Sequence, residues 1–292
     1  MGGPCELQLH ADVEPLELFT RGEAEVRRLE KKYSRYRDDS ATAAINRSAG
    51  VPAGIEVDEE TAGLLDFAHT AWQQSEGLFD VTSGVLRRAW DFKARRVPSQ
   101  SQVDAALAHV GWPRVRWSRP RLQLAEGMEI DLGGIVKEYA ADCAAGVLRE
   151  GGARHGLVEL GGDIATLGPH PDGTPWQVGI RHPRDPARSI ATLELGEGAI
   201  ASSGDYERYF ESDGRRYCHI LNARTGWPVE GLASVSVVAP QCLVAGAAST
   251  IAMLKGASEG PAWLRSLELP HLCVASDGTI SGTFAAQRNA KS

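Results

Sequence analysis

Residues 134–162 read GIVKEYAADCAAGVLREGGARHGLVELGG, and the two halves of this stretch obey different periods. In the first half Ile135, Tyr139, Cys143 and Val147 recur every four residues, one stripe of a helix, and Gly151 supplies its stop. In the second half Gly156-Leu157-Val158-Glu159-Leu160 is a short β-like run closed by the pair Gly161-Gly162. The same change of period divides the whole chain. Before it, residues 16–36 predict an amphipathic helix with Leu18, Val26, Leu29 and Tyr33 near one stripe. Residues 58–76 predict a second helix, with Asp58 as N-cap and Gly77 at its end, and residues 101–110 a third. After it come predicted strands at 176–180, 190–195, 199–202, 234–238 and 272–275, with helices at 243–254 and 261–267. Helices first and strands later predict an α+β fold instead of a regular βαβ alternation. We expect one domain over 1–292, with its softest internal boundary at Gly151-Gly152.

The totals are those of an ordinary water-soluble globular protein. The chain has 292 residues, 42% of them apolar and 24% charged, with a net charge of −7. It has no basic block, so nucleic acid is not an expected partner. No run of 18 apolar residues is present, so no transmembrane helix is expected. The first seven residues lack the charged and apolar regions of a secretory signal, so the expected location is the cytoplasm, or the periplasm if an upstream leader has been removed. Five widely spaced cysteines form no CxxC and no zinc spacing. Nothing in the sequence specifies an oligomeric state.

Several short segments carry candidate chemistry. Asp131-Leu132-Gly133-Gly134-Ile135-Val136-Lys137 follows a predicted strand (122–124 and 128–130) and opens a helix. Unpaired N–H groups at a helix start suit a phosphate or pyrophosphate, the glycines let a ligand approach, and Lys137 adds a cation. Taken singly, it is also readable as a plain strand-to-helix turn. Gly77-Leu78-Phe79-Asp80-Val81-Thr82-Ser83-Gly84 brings together an aromatic, a carboxylate and a hydroxyl that would grip a flat heterocycle; its bland reading is a turn with a buried Phe. Leu160-Gly161-Gly162-Asp163-Ile164 reads best as a turn or bulge. Residues 202–209 and 218–228 gather Asp, His, Arg, Thr and Tyr, among them His219, a proton acceptor suited to neutral pH.

In this order these segments resemble one family. Ser34-Arg35-Tyr36-Arg37 followed by Ser40 and Asn46, then FDVTSG, DLGGIVKEYAAD, ELGGDI, SSGDYERYF and HILNARTGWP, together with the initial Met-Gly, match the FAD:protein FMN transferases, the ApbE-like flavin transferases, from Met1 to about Gly256. The resemblance implies a T-fold-like α+β body with mixed or antiparallel sheets and flanking helices. It implies FAD as substrate, Mg²⁺ on its pyrophosphate, and transfer of FMN to a Thr or Ser hydroxyl of an acceptor protein with release of AMP. Carried over by position, it assigns FAD contacts to Met1, Tyr36, Phe79, Asp80, Val81, Asp131, Lys137 and His219. It also gives His219 the role of deprotonating the acceptor. Metal oxygens fall to Gly134, Ser249 and Thr250. One departure bears on the metal: where the family usually has a metal-binding Asp, this chain has Gly246. A water, or a carboxylate from elsewhere such as Asp163, is expected to fill that gap, and Gly246→Asp to tighten the Mg²⁺ dependence. Two competing functions are a non-catalytic FAD-binding or flavin-delivery protein, which the gap supports, and an FAD pyrophosphatase in which water replaces the protein hydroxyl, giving FMN and AMP.

Overall fold

The computed structural model describes residues 3–10 and 15–284. The chain begins with β1 (Cys5–His10), α1 (Pro15–Tyr33), α2 (Ala41–Arg47), β2 (Ile55–Glu56) and α3 (Glu59–Gln74). Then come α4 (Gln100–Leu107), β3 (Arg116–Ser118), β4 (Arg121–Gln123) and α5 (Val136–Glu150). Five strands follow: β5 (His155–Leu160), β6 (Asp163–Gly168), β7 (Trp176–His182), β8 (Asp185–Leu195) and β9 (Ala199–Gly204). The chain continues with β10 (Tyr209–Ser212), β11 (Arg215–Cys218), β12 (Leu232–Ala239), α6 (Cys242–Ser266), β13 (His271–Ala275) and β14 (Ile280–Gly282). Contacts divide it into two units: Met1–Glu30, Val136–Tyr206 and Glu230–Ser292 form one, Lys31–Ile135 and Glu207–Val229 the other. Gly151 and Gly152 end α5 inside the first unit.

The first unit is built on a seven-stranded sheet ordered β1-β5-β6-β9-β12-β13-β14, with every described pairing antiparallel. The Gly161-Gly162 pair closes the β5–β6 hairpin with φ of 61° and 92°, the two positive values a tight two-residue turn requires. β6 is buried along its whole length, so it lacks the alternation by which a half-exposed strand is read. Helices α5 and α6 pack on the sheet and on each other. Ala140, Ala141, Ala144 and Ala145 on α5, and Ala245, Ala248 and Ala252 on α6, are buried, and side chains this small let two backbones come close. Asp142, in the middle of α5, accepts from the N–H of Cys242 (2.8 Å) and of Leu243 (2.9 Å), so one helix caps the start of the other. The α6 segment breaks at Gly256 (φ 78°), with Pro261 beyond, which agrees with the two helices predicted there. A second apolar cluster gathers Trp176, Ile180, Ile190, Leu193 and Leu195 of the β7–β8 hairpin against Leu157, Ile164, Ile200 and Leu272.

The other unit is smaller in its regular elements. Helix α3 starts where expected, with Asp58 accepting from the Thr61 N–H at 2.9 Å. A three-stranded sheet has the order β2-β4-β3. Trp90, Phe210 and Tyr217 are buried together beside Leu86 and Val103, and the Trp90 indole donates to the Gly226 carbonyl at 2.8 Å. Residues 128–130 were expected to form a strand and do not. Both main-chain groups of Ile130 are taken by the Asn46 side chain (2.7 and 3.0 Å), which leaves neither for a neighbouring strand. Among the described residues no helix is long and apolar enough to cross a membrane.

Candidate active site

In the Lys31–Ile135 unit the structure brings together most of the expected flavin contacts. The FDVTSG segment is a 3-10 helix, Val81–Arg88, preceded by Asp80 as its N-cap. Asp80 is buried, and both of its oxygens are committed. One accepts from the Thr82 N–H (2.8 Å) and hydroxyl (2.6 Å), the other from the Trp112 N–H (2.8 Å). That carboxylate therefore fixes the segment. Phe79 and Val81 are also largely buried. The Val81 carbonyl accepts the Asp131 N–H at 2.9 Å, so the two motifs are tied by their backbones. Gly84 is needed there, because a Cβ at that position would lie 2.4 Å from the Asp131 Cβ. A Cβ on Gly134 would meet the Phe79 ring at 3.6 Å, which places that ring beside the glycine turn.

Asp131 is held on both sides. Its Oδ1 accepts the Gly133 N–H at 2.9 Å, and its Oδ2 pairs with the Arg35 guanidinium. Arg35 also donates to the Tyr36 hydroxyl at 2.8 Å and lies over that ring. Burial opposes the Arg35 charge, but Asp131 and Tyr36 outweigh it and hold its pKa above the ordinary value. Tyr36 is 80% exposed. His219 follows β11 and is half-buried, with its N–H donating to the Arg208 carbonyl at 2.9 Å. Met1 lies outside the described residues.

In the other unit, Lys137 in the first turn of α5 pairs with Asp163. Asp163 is buried, and its second oxygen accepts the Ser202 N–H at 2.9 Å. Burial opposes the Lys137 charge, while Glu138 and Asp163 overcome that and raise its pKa above the ordinary value. Glu138 is buried as well. Burial pushes its carboxyl up to about 8, with Lys137 opposing and Asp163 reinforcing the shift. Ser249 and Thr250, the expected metal oxygens, form a hydroxyl cluster with Ser203 at 2.8 and 2.9 Å, and Ser249 also donates to the Gly246 carbonyl at 3.0 Å.

The space at Gly246 is already filled. A Cβ there would stand 2.4 Å from Cγ and 2.9 Å from Cδ of Glu138. The carboxylate nearest the glycine is thus Glu138, whereas both oxygens of Asp163 are engaged elsewhere. Glu138 is not legible in the first turn of α5 alone, because its contact is with a glycine more than a hundred residues later. A glycine where a carboxylate is usual, in a chain with an acid beside the motif lysine, is the signal that would have found it. Among the described residues no three His, Cys, Asp or Glu side chains gather as a metal site. A cation here would rely on a mixed set of carboxylate, hydroxyl, carbonyl and water oxygens, which suits magnesium.

Residues 1–273 match the sequence model of the ApbE family. The chain belongs to the ApbE family. The FAD:protein FMN transferase of Vibrio cholerae is 33% identical over 82% of this chain and 74% of its own length. That of Haemophilus influenzae is 31% identical over 78% and 69% respectively. Among solved structures, the ApbE protein of Thermotoga maritima superposes with a TM-score of 0.91 at 32% identity, covering 98% of this chain and 96% of that one. These likenesses agree with the expected α+β architecture of antiparallel sheets and flanking helices.

Proposed function

We propose that this ApbE-family protein transfers FMN from FAD to a Thr or Ser hydroxyl of a target protein, releasing AMP. The observation that carries this reading is the likeness, over about four-fifths of this chain, to proteins named FAD:protein FMN transferase. The Tyr36–Arg35–Asp131–Val81 connection supports it, since it joins the expected flavin contacts into one constellation.

The reaction is displacement at phosphorus. The acceptor oxygen bonds to the phosphorus on the flavin side, the pyrophosphate P–O bond breaks, and AMP departs with the bridging oxygen. Catalysis of this kind rests on positioning and charge neutralisation. Tyr36 presents an aromatic face to a flat ring. The Arg35–Asp131 pair fixes the turn whose N–H groups and carboxylate meet polar parts of the dinucleotide. His219 takes the proton of the acceptor hydroxyl. Magnesium, when bound, neutralises charge developing on the pyrophosphate. Ser249 and Thr250 are the hydroxyls that would hold it, and their hard oxygens fit that ion.

Incubation with FAD, Mg²⁺ and a candidate acceptor, read as flavin fluorescence on a denaturing gel together with AMP release, tests this. Fluorescent acceptor plus AMP supports transfer. Free FMN plus AMP supports hydrolysis, and unchanged FAD that stays bound supports a delivery role.

A further inference from the structure

We propose that the Glu138 carboxylate is a divalent-cation ligand of this protein, and that position 246 is glycine because Glu138 occupies the space a side chain there would need. The inference rests on the transferase reading for the presence of a pyrophosphate substrate, and deepens it by naming the carboxylate that stands in for the one missing at 246.

Three observations converge. First, the fit is steric: any side chain at 246 would have to displace Glu138, whose Cγ, Cδ and Oε1 lie 2.4, 2.9 and 3.1 Å from the Cβ position. Second, the Oε2 atom of Glu138 is buried and has no hydrogen-bond partner. A buried carboxylate oxygen without a donor is costly, and it calls for a counter-charge or a proton. Third, the neighbouring ammonium favours the other carboxylate. Lys137 is the cation beside both Glu138, at 3.6 Å, and Asp163, to which it is more tightly paired. Lys137 is thus committed to Asp163, and Glu138 is the carboxyl group beside it with an oxygen left for another cation. The nearby donors are the Gly246 carbonyl and the Ser249, Ser203 and Thr250 hydroxyls, all hard oxygens.

The test uses the full chain and Mn²⁺ as the probe, titrated with and without FAD and followed by the electron paramagnetic resonance signal of free Mn²⁺. The unmodified protein is expected to bind the ion. Glu138→Gln, which keeps the volume and removes the charge, is expected to weaken binding by about tenfold or more, the scale of losing a metal-site partner. Metal-free melting curves report whether the variant is folded. The double variant Glu138→Gly with Gly246→Asp, which moves the carboxylate from α5 to α6, is expected to restore binding and carries the test if Glu138→Gln does not fold. An unmodified protein that binds no Mn²⁺, a Glu138→Gln variant with an unchanged titration, or a folded double variant that binds none overturns the inference. Glu138-dependent Mn²⁺ binding without flavin transfer upholds the ligand and counts against the transferase reading instead.

Discussion

Asp131 is held by Arg35 on one oxygen and by the Gly133 N–H on the other. Asp131→Asn should keep an acceptor for Gly133 and lose the charged pair, which typically contributes more than a neutral hydrogen bond. We expect FAD affinity to fall by about tenfold, measured by quenching of flavin fluorescence. His219→Ala should slow transfer by roughly 10²–10⁴-fold, the usual span for loss of a general base. A near-normal rate would remove His219 from that role. The residues that were legible are those inside contiguous motifs, because a turn such as DLGG holds its chemistry within a few positions. Glu138 was not legible in this way, since its significance lies in contact with Gly246 across the α5–α6 packing.

The α5–α6 pair shows how far local pattern reaches. The start of α5, the break of α6 at Gly256 and the Asp58 cap of α3 follow from residue type and spacing. The Asp142 cap of α6 does not, because donor and acceptor are a hundred residues apart. Asp142→Ala should strip two N–H groups of their partner and cost about 1–2 kcal/mol, the scale of a lost cap. Chemical denaturation measures this, and Asp142→Asn should recover part of it. Gly246→Asp alone, expected from sequence to tighten Mg²⁺ dependence, instead meets an occupied space. It should destabilise the protein by about 1–3 kcal/mol through overpacking, and removing the Glu138 side chain in the same chain should relieve most of that. Strands were read where one face is exposed or the flanks are Gly and Pro. Residues 163–168 form β6 beyond the turn expected at 160–164, and 128–130 form no strand because Asn46 satisfies Ile130.

Across the whole chain, the order of weak motifs carries more information than any one of them, and residues 1–273 match the family model. The five cysteines give a separate check on the distribution of burial. Burial raises Cys273 to about 12 and, with Asp163 and Glu138 adding to it, lifts Cys242 well above the ordinary thiol value. Both therefore stay protonated at pH 8, where only a thiolate reacts readily. With a disulfide reagent at that pH, exposed Cys5 should label quickly, and Cys218, Cys242 and Cys273 only after unfolding. The most direct test of the proposed chemistry is a mass balance: intact mass of the acceptor and AMP counted in the same reaction with FAD and Mg²⁺. Acceptor heavier by one FMN less one water, with one AMP per modified acceptor, is the predicted result. Free FMN appearing in step with AMP while the acceptor mass stays unchanged would contradict it.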